Sequence, residues 1–259
     1  MRLAVVHINA EKGSEPYTEM VTEVFNKVKR PETEIVHRWA RLKRASDTVF
    51  GYPYLLNSVD VIHNILQAGR DGLDGAMVAC SGDPGITEAR TLLDIPVVGP
   101  WEATLHLASS YAYRFGVVTV EDRAWADTCH SLIVRNGLAD RCVGVQRIDT
   151  PSAKAFTQGF VDPQPLVDDI RRQAEKLIEK GAGAIVIGSA GLSTMAAASG
   201  LHSLEGGIPV FETLTVGLKT LEMRVDLTQK GGLPPASRTG YTQRLADKDT
   251  DRVRALFGL

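Results

Sequence analysis

Cysteine is scarce in this chain: Cys80, Cys129 and Cys142 are the three among 259 residues. They are too few and too unevenly spaced for a disulfide framework. No C-x-x-C pair or H-E-x-x-H run is present to hold zinc, so a reducing, metal-free interior is expected. An excess of one charge is also lacking. Lys and Arg number 29 against 31 Asp and Glu, a formal net charge of −2, which argues against a nucleic-acid partner. No G-x-G-x-x-G follows an apolar run and no G-x-x-x-x-G-K-[ST] occurs, so no nucleotide cofactor is expected. The opening MRLAVVHINAEKG lacks the long apolar core of an export signal, and a cytoplasmic protein is the expectation. The longest uncharged run, 181 to 203, is broken by Gly and Ser. It reads as a buried strand entering a small-residue helix rather than as a membrane span.

What is present is an ordinary globular composition, 44% hydrophobic and 23% charged, with length for one large domain or two smaller ones. Short apolar runs alternate with segments of helical period: LAVVHI at 3–8, EIVHRW at 34–39, GAMVAC at 75–80, FGVVTV at 115–120 and GAIVIG at 183–188 each precede one. Apolar residues at consecutive positions suit parallel strands covered on both faces, and strict alternation of strand with helix means an α/β fold. The clearest helix opens at Asp162-Pro163, carries Leu166, Ile170, Ala174, Leu177 and Ile178 on one face, and closes at Lys180-Gly181.

The sequence also repeats itself. GLDGAMVACSGDPG (72–85) followed by IPVVGPWEATLHLA (95–108) matches GAGAIVIGSAG (181–191) followed by IPVFETLTVGLKTL (208–221), and MRLAVVHIN (1–9) resembles YRFGVVTVE (113–121). Two pseudo-symmetric α/β lobes follow, each an open parallel sheet flanked by helices: 1–100 plus 210–259, and 101–209. Cys80 and Ser189 occupy equivalent positions. Ligands of open parallel sheets sit beyond the carboxyl ends of the strands, so both residues are expected in one interlobe cleft. The small residues after each, Ser81-Gly82 and Ala190-Gly191, let backbone N–H groups approach a carboxylate or enolate oxygen.

These segments resemble the aspartate/glutamate/hydantoin racemase superfamily, and its hydantoin racemase branch above all. The resemblance is carried by ACSGDPG (79–85), IPVVG (95–99), RFGVVT (114–119), AIVIGSAGL (184–192) and IPVFE (208–212), and it runs on to the terminal GGLPPASRTGY. It implies a homo-oligomeric enzyme in which two cysteines on opposite faces of a small carbon acid exchange the α-proton, without cofactor or metal. Cys80 matches the first cysteine. Asn9, Glu11, Ser81, Gly82, Thr119, Val120, Ala190 and Gly191 are the implied substrate-binding positions.

Three departures stand out. The second family cysteine falls on Ser189, and a hydroxyl without an adjacent base is a far weaker proton acceptor than a thiolate. Glu11 replaces a second asparagine after the first strand, and Val120 replaces the second of two threonines. Several chemistries stay open: a racemase, silenced or not by the exchange; a one-cysteine lyase that decarboxylates a malonate-type acid; and a Cys80-dependent hydrolase of a hydantoin-like ring. A two-lobed small-molecule binding protein is the non-enzyme alternative. Asp83-Pro84-Gly85 is either a plain turn or a shaper of the site. Tyr52 and Tyr54 are either a lid or a surface loop. His7 reads as core, His106 and His130 as helix-borne and remote, and Cys129 and Cys142 as structural.

Overall fold

The computed structural model describes residues 1–259. The first half runs β1 (Arg2–His7), α1 (Glu15–Val28), β2 (Glu34–Trp39), α2 (Gly51–Arg70), β3 (Gly75–Val78), α3 (Ile86–Arg90), β4 (Val97–Val98) and α4 (Pro100–Tyr111). The second runs β5 (Phe115–Thr119), α5 (Arg123–Arg135), β6 (Cys142–Arg147), α6 (Ser152–Gln158), α7 (Gln164–Ile178), β7 (Ala184–Ile187), α8 (Ala190–Ala198), β8 (Ser203–Leu204), β9 (Ile208–Phe211) and α9 (Thr213–Gln229), followed by α10 (Asp247–Leu256). Every residue of β3, β5 and β7 is buried, as consecutive apolar residues covered on both faces require.

The first sheet has the order β2-β1-β3-β4, all parallel; the second has β6-β5-β7-β9, also parallel, with β8 added antiparallel at the edge. Setting β1 against β5, β2 against β6, β3 against β7 and β4 against β9 makes the two orders identical. The repeat therefore marks two copies of one α/β unit.

The helices after β4 and β9 change sides. Helix α4 lies against β7 and β9, while α9 returns to β3 and β4, where Leu214, Leu218, Leu221 and Val225 pack with Met77 and Val98. Strand β9 pairs with β7 through Phe211, so a division between residues 209 and 210 cuts a strand of the second sheet. A single apolar cluster runs from Val6 and Val78 in the first sheet to Val118 and Ile187 in the second. The two sets of strand ends are thereby held against each other. The uncharged run 181–203 resolves into β7 and α8, and no helix is long and apolar enough to cross a membrane.

Candidate active site

The loops that leave β1, β3, β5 and β7 meet around one cavity of about 500 Å³, at the carboxyl ends of both sheets. Ile8 and Asn9 come from the first loop, Ala79, Cys80 and Ser81 from the second, Val120 and Asp122 from the third, and Ser189 from the fourth, followed by Ala190 and Gly191 at the start of α8. Residues 43–46, Thr48 and Val49 and the aromatic side chains Tyr17, Trp125, Phe156 and Phe160 extend the wall.

Cys80 sits two residues past the end of β3 and Ser189 two past the end of β7. Burial pushes the Cys80 thiol up to about 12; the Gly82 N–H, which donates to Sγ at 3.3 Å, opposes that shift and nearby Asp83 adds to it. The resting side chain is a neutral thiol with one backbone donor already aimed at its sulfur. The turn carrying it is held from three sides. Tyr54 Oη donates to the Gly82 carbonyl at 2.7 Å, the Asp83 N–H reaches the Cys80 carbonyl at 3.2 Å, and Ser81 Oγ lies 3.1 Å from Thr213 Oγ1.

Ser189 is the N-cap of α8. Its Oγ accepts from the Leu192 N–H at 3.5 Å, which leaves the N–H groups of Ala190 and Gly191 in the first helical turn without intrahelical partners. The preceding residue is clamped, since the Gly188 carbonyl accepts from Thr119 Oγ1 at 2.9 Å, Trp125 Nε1 at 2.8 Å and Cys129 Sγ at 3.5 Å. Trp125 also reaches the other half: its ring edge would lie 3.0 Å from a Cβ on Gly82. One indole thus touches the segments carrying Cys80 and Ser189.

Asp83 has φ 48°, in the left-handed region that few side chains occupy. Its carboxylate accepts from the N–H groups of Trp101 at 3.0 Å and Glu102 at 2.8 Å, capping α4 from outside that helix. Burial raises it to about 7, against the pull of those two N–H groups. In the second half Glu212 does the corresponding task for α9 from within its own segment, accepting from Leu214 and Thr215.

Of the expected positions, Asn9, Cys80, Ser81, Val120, Ser189, Ala190 and Gly191 line the cavity, and Glu11, Gly82 and Thr119 do not. Glu11 is exposed, and its carbonyl anchors Ser14 at the start of α1. Gly82 acts one step back, through its N–H on Cys80. Thr119 is fully buried, its hydroxyl turned to Gly188. Ser81 faces the cavity, but its hydroxyl joins a buried chain through Thr213 to Ser193. Tyr52 is 72% exposed and lies outside the cavity wall, whereas Tyr54 braces the Cys80 turn from below. His7 is fully buried against His37, and burial followed by that neighbour lowers it to about 3. His106 and His130 are exposed and remote. Cys129 is buried in the clamp, and Cys142 begins β6. Sequence reading missed Tyr17, Trp125, Asp122, Phe156 and Phe160; Asp122 carried a signal, as an N-cap ahead of a helical period.

The family described as Asp/Glu/Hydantoin racemase matches residues 4–221. The chain belongs to that family. It is 30% identical over 233 residues to a hydantoin racemase from Pseudomonas sp. (strain NS671), covering 89% of this chain and 88% of that protein. A hydantoin racemase from Paenarthrobacter aurescens is 27% identical over 230 residues, covering 88% and 92%. Among solved structures, the allantoin racemase from Klebsiella pneumoniae superimposes with a TM-score of 0.78 at 27% identity, covering 95% of this chain and 94% of that one. The chain is thus an isomerase of the racemase type, with the two-lobed α/β fold of its structural neighbours, and the cavity between its lobes is the candidate active site.

Proposed function

We propose that this racemase-family enzyme acts at the acidic carbon of a small hydantoin or related carboxylate, moving a proton with Cys80 on one face and presenting Ser189 on the other. The observation that supports this most is Cys80 in the wall of the cavity it shares with Ser189 and the unpartnered N–H groups of Ala190 and Gly191.

Once the Cys80 thiol has given its proton to water, the thiolate takes the substrate proton: the C–H bond breaks, an S–H bond forms, and the electron pair moves onto the adjacent carbonyl oxygen. The helix-terminal N–H groups and Asn9 are suited to hold the resulting enolate. After the S–H trades its proton with solvent, reprotonation by Cys80 on the same face restores the starting enantiomer with an exchanged proton. Reprotonation from the Ser189 face inverts it. That step leaves an alkoxide on a residue with no neighbouring base, and is slower. No step calls for a cofactor.

A second reading draws on the resting thiol and the hydroxyl already committed to Leu192. A malonate-type acid would lose carbon dioxide, its C–C electron pair forming an enediolate. Cys80 S–H would then protonate that carbon, and water would return a proton to the thiolate. Proton NMR in deuterated water separates the two. Enantiopure 5-substituted hydantoins and aryl or alkyl malonates are supplied to wild type and Cys80→Ala. Exchange on hydantoins, lost in Cys80→Ala, supports the first reading. One-sided deuteration with decarboxylation supports the second. Exchange that persists in Cys80→Ala overturns the first, and one-sided decarboxylation that persists in it overturns the second.

A further inference from the structure

Four hydroxyls of the cavity lining are already committed inside the protein. Ser152 Oγ donates to Glu121, Thr157 Oγ1 to the Ala153 carbonyl at 2.8 Å, Ser14 Oγ to Ala10 and Glu11, and Thr48 Oγ1 to Ala45. Between them stands an aromatic wall. The ring centroid of Phe160 lies 5.9 Å from that of Tyr17 and 6.5 Å from that of Phe156. Tyr17 joins this wall to the reacting thiol: its hydroxyl donates to the Ala79 carbonyl at 3.4 Å, one residue before Cys80. Phe156 lies over the start of α8, where a Cβ on Gly191 would come within 2.5 Å of its ring. The absence of a side chain at Gly191 is what lets the ring approach the first turn of that helix.

A substituent that enters this part of the cavity meets ring faces and edges, while the hydroxyls of Ser14, Thr48, Ser152 and Thr157 have partners of their own. A ureido group brings several donors and acceptors that would lose water without replacement, which costs free energy. A flat apolar group loses only its hydration shell and gains offset or edge contacts with the rings.

We propose that Tyr17, Phe156 and Phe160 form the compartment for the 5-substituent, and that the enzyme selects hydantoins bearing an aryl or arylalkyl group over 5-ureidohydantoin (allantoin). This rests on the hydantoin reading above.

The test compares kcat/KM for 5-benzylhydantoin, 5-methylhydantoin and allantoin, and equilibrium binding of the same three compounds to wild type, Phe156→Ala and Phe160→Ala. Wild type should favour the benzyl compound over allantoin by roughly 10- to 200-fold, the range open to an apolar pocket. Either substitution should collapse the benzyl-to-methyl ratio by about tenfold or more, in turnover and in binding. Circular dichroism and thermal melts identify a variant that has unfolded, and Phe156→Leu and Phe160→Leu serve in its place. Allantoin bound and turned over as well as the benzyl compound would overturn the compartment, as would variants that leave the ratio in place. Preferential benzyl binding without turnover would uphold the compartment and overturn the hydantoin reading alone.

Discussion

A Cβ added to Gly99 would lie 2.3 Å from a carboxylate oxygen of Asp83. The missing side chain of one residue is the space for the other. Gly99 follows the I-P-V strand of the first half where Glu212 follows that of the second. Glu212 caps α9 with its own carboxylate, whereas Gly99 makes room for a carboxylate delivered by the Cys80 turn. Asp83 therefore ties the reactive turn to α4, a helix that packs on the opposite sheet.

Gly99→Ala should displace Asp83, release the α4 cap and loosen the Cys80 turn. The expected loss of stability is about 1–3 kcal/mol, as for overpacking at a closed site, read as a fall in the urea midpoint at constant slope. An unchanged midpoint would mean that the Asp83 cap is dispensable.

Asp83 should also leave a mark on the pH dependence of stability. Burial raises its folded-state value from an ordinary 3.8 to about 7. Between those values the folded chain holds a proton that the unfolded chain has released, so this group's contribution to stability falls as pH rises through the window. Asp83→Asn removes the proton linkage, and the stability of wild type relative to this variant should decline from pH 4 to pH 7. A difference that stays flat across that window would contradict a buried, raised carboxyl at position 83.

Cys80 should be a slow nucleophile at neutral pH. With its thiol pushed up to about 12 by burial, alkylation of the Cys80 peptide by iodoacetamide should rise roughly tenfold per pH unit over the alkaline range where the fold survives. A plateau near pH 8 would mean an activated thiolate and a donor beyond Gly82. Exchange of a bound hydantoin should follow the same slope if the thiolate is the base.

Ser189→Ala deletes an N-cap whose bond to Leu192 is 3.5 Å long, so its effect on stability should sit at the low end for such caps, about 0.5 kcal/mol. Thr119→Val removes one of the three donors on the Gly188 carbonyl. A loss of about 1 kcal/mol is expected, measured by chemical denaturation of the single variants beside wild type.

Strand identities, the pairing of Cys80 with Ser189 and the cleft between the lobes were legible because they rest on repeated local patterns. Apolar runs at 75–78 and 184–187 and small residues after each state their own structure. Loops that act at a distance were not. Thr119 carries the right chemistry at the right strand tip, but whether its hydroxyl faces a ligand or the Gly188 carbonyl depends on Trp125 and Cys129, which arrive from α5. Phe156 and Phe160 sit in a stretch without a motif, and Phe156 packs into the wall where Gly191, far along the chain, admits its ring. The boundary at residue 209 falls inside β9, since which sheet a short apolar run joins is a tertiary choice.

The most direct test of the asymmetry between Cys80 and Ser189 is the ratio of deuterium exchange to inversion, followed on each enantiomer of 5-benzylhydantoin in deuterated water. One enantiomer, the one whose C–H bond faces Cys80, should exchange in wild type faster than it inverts. In Ser189→Cys the two rates should approach each other. Inversion as fast as exchange for both enantiomers in wild type would contradict the assignment of proton transfer to one face.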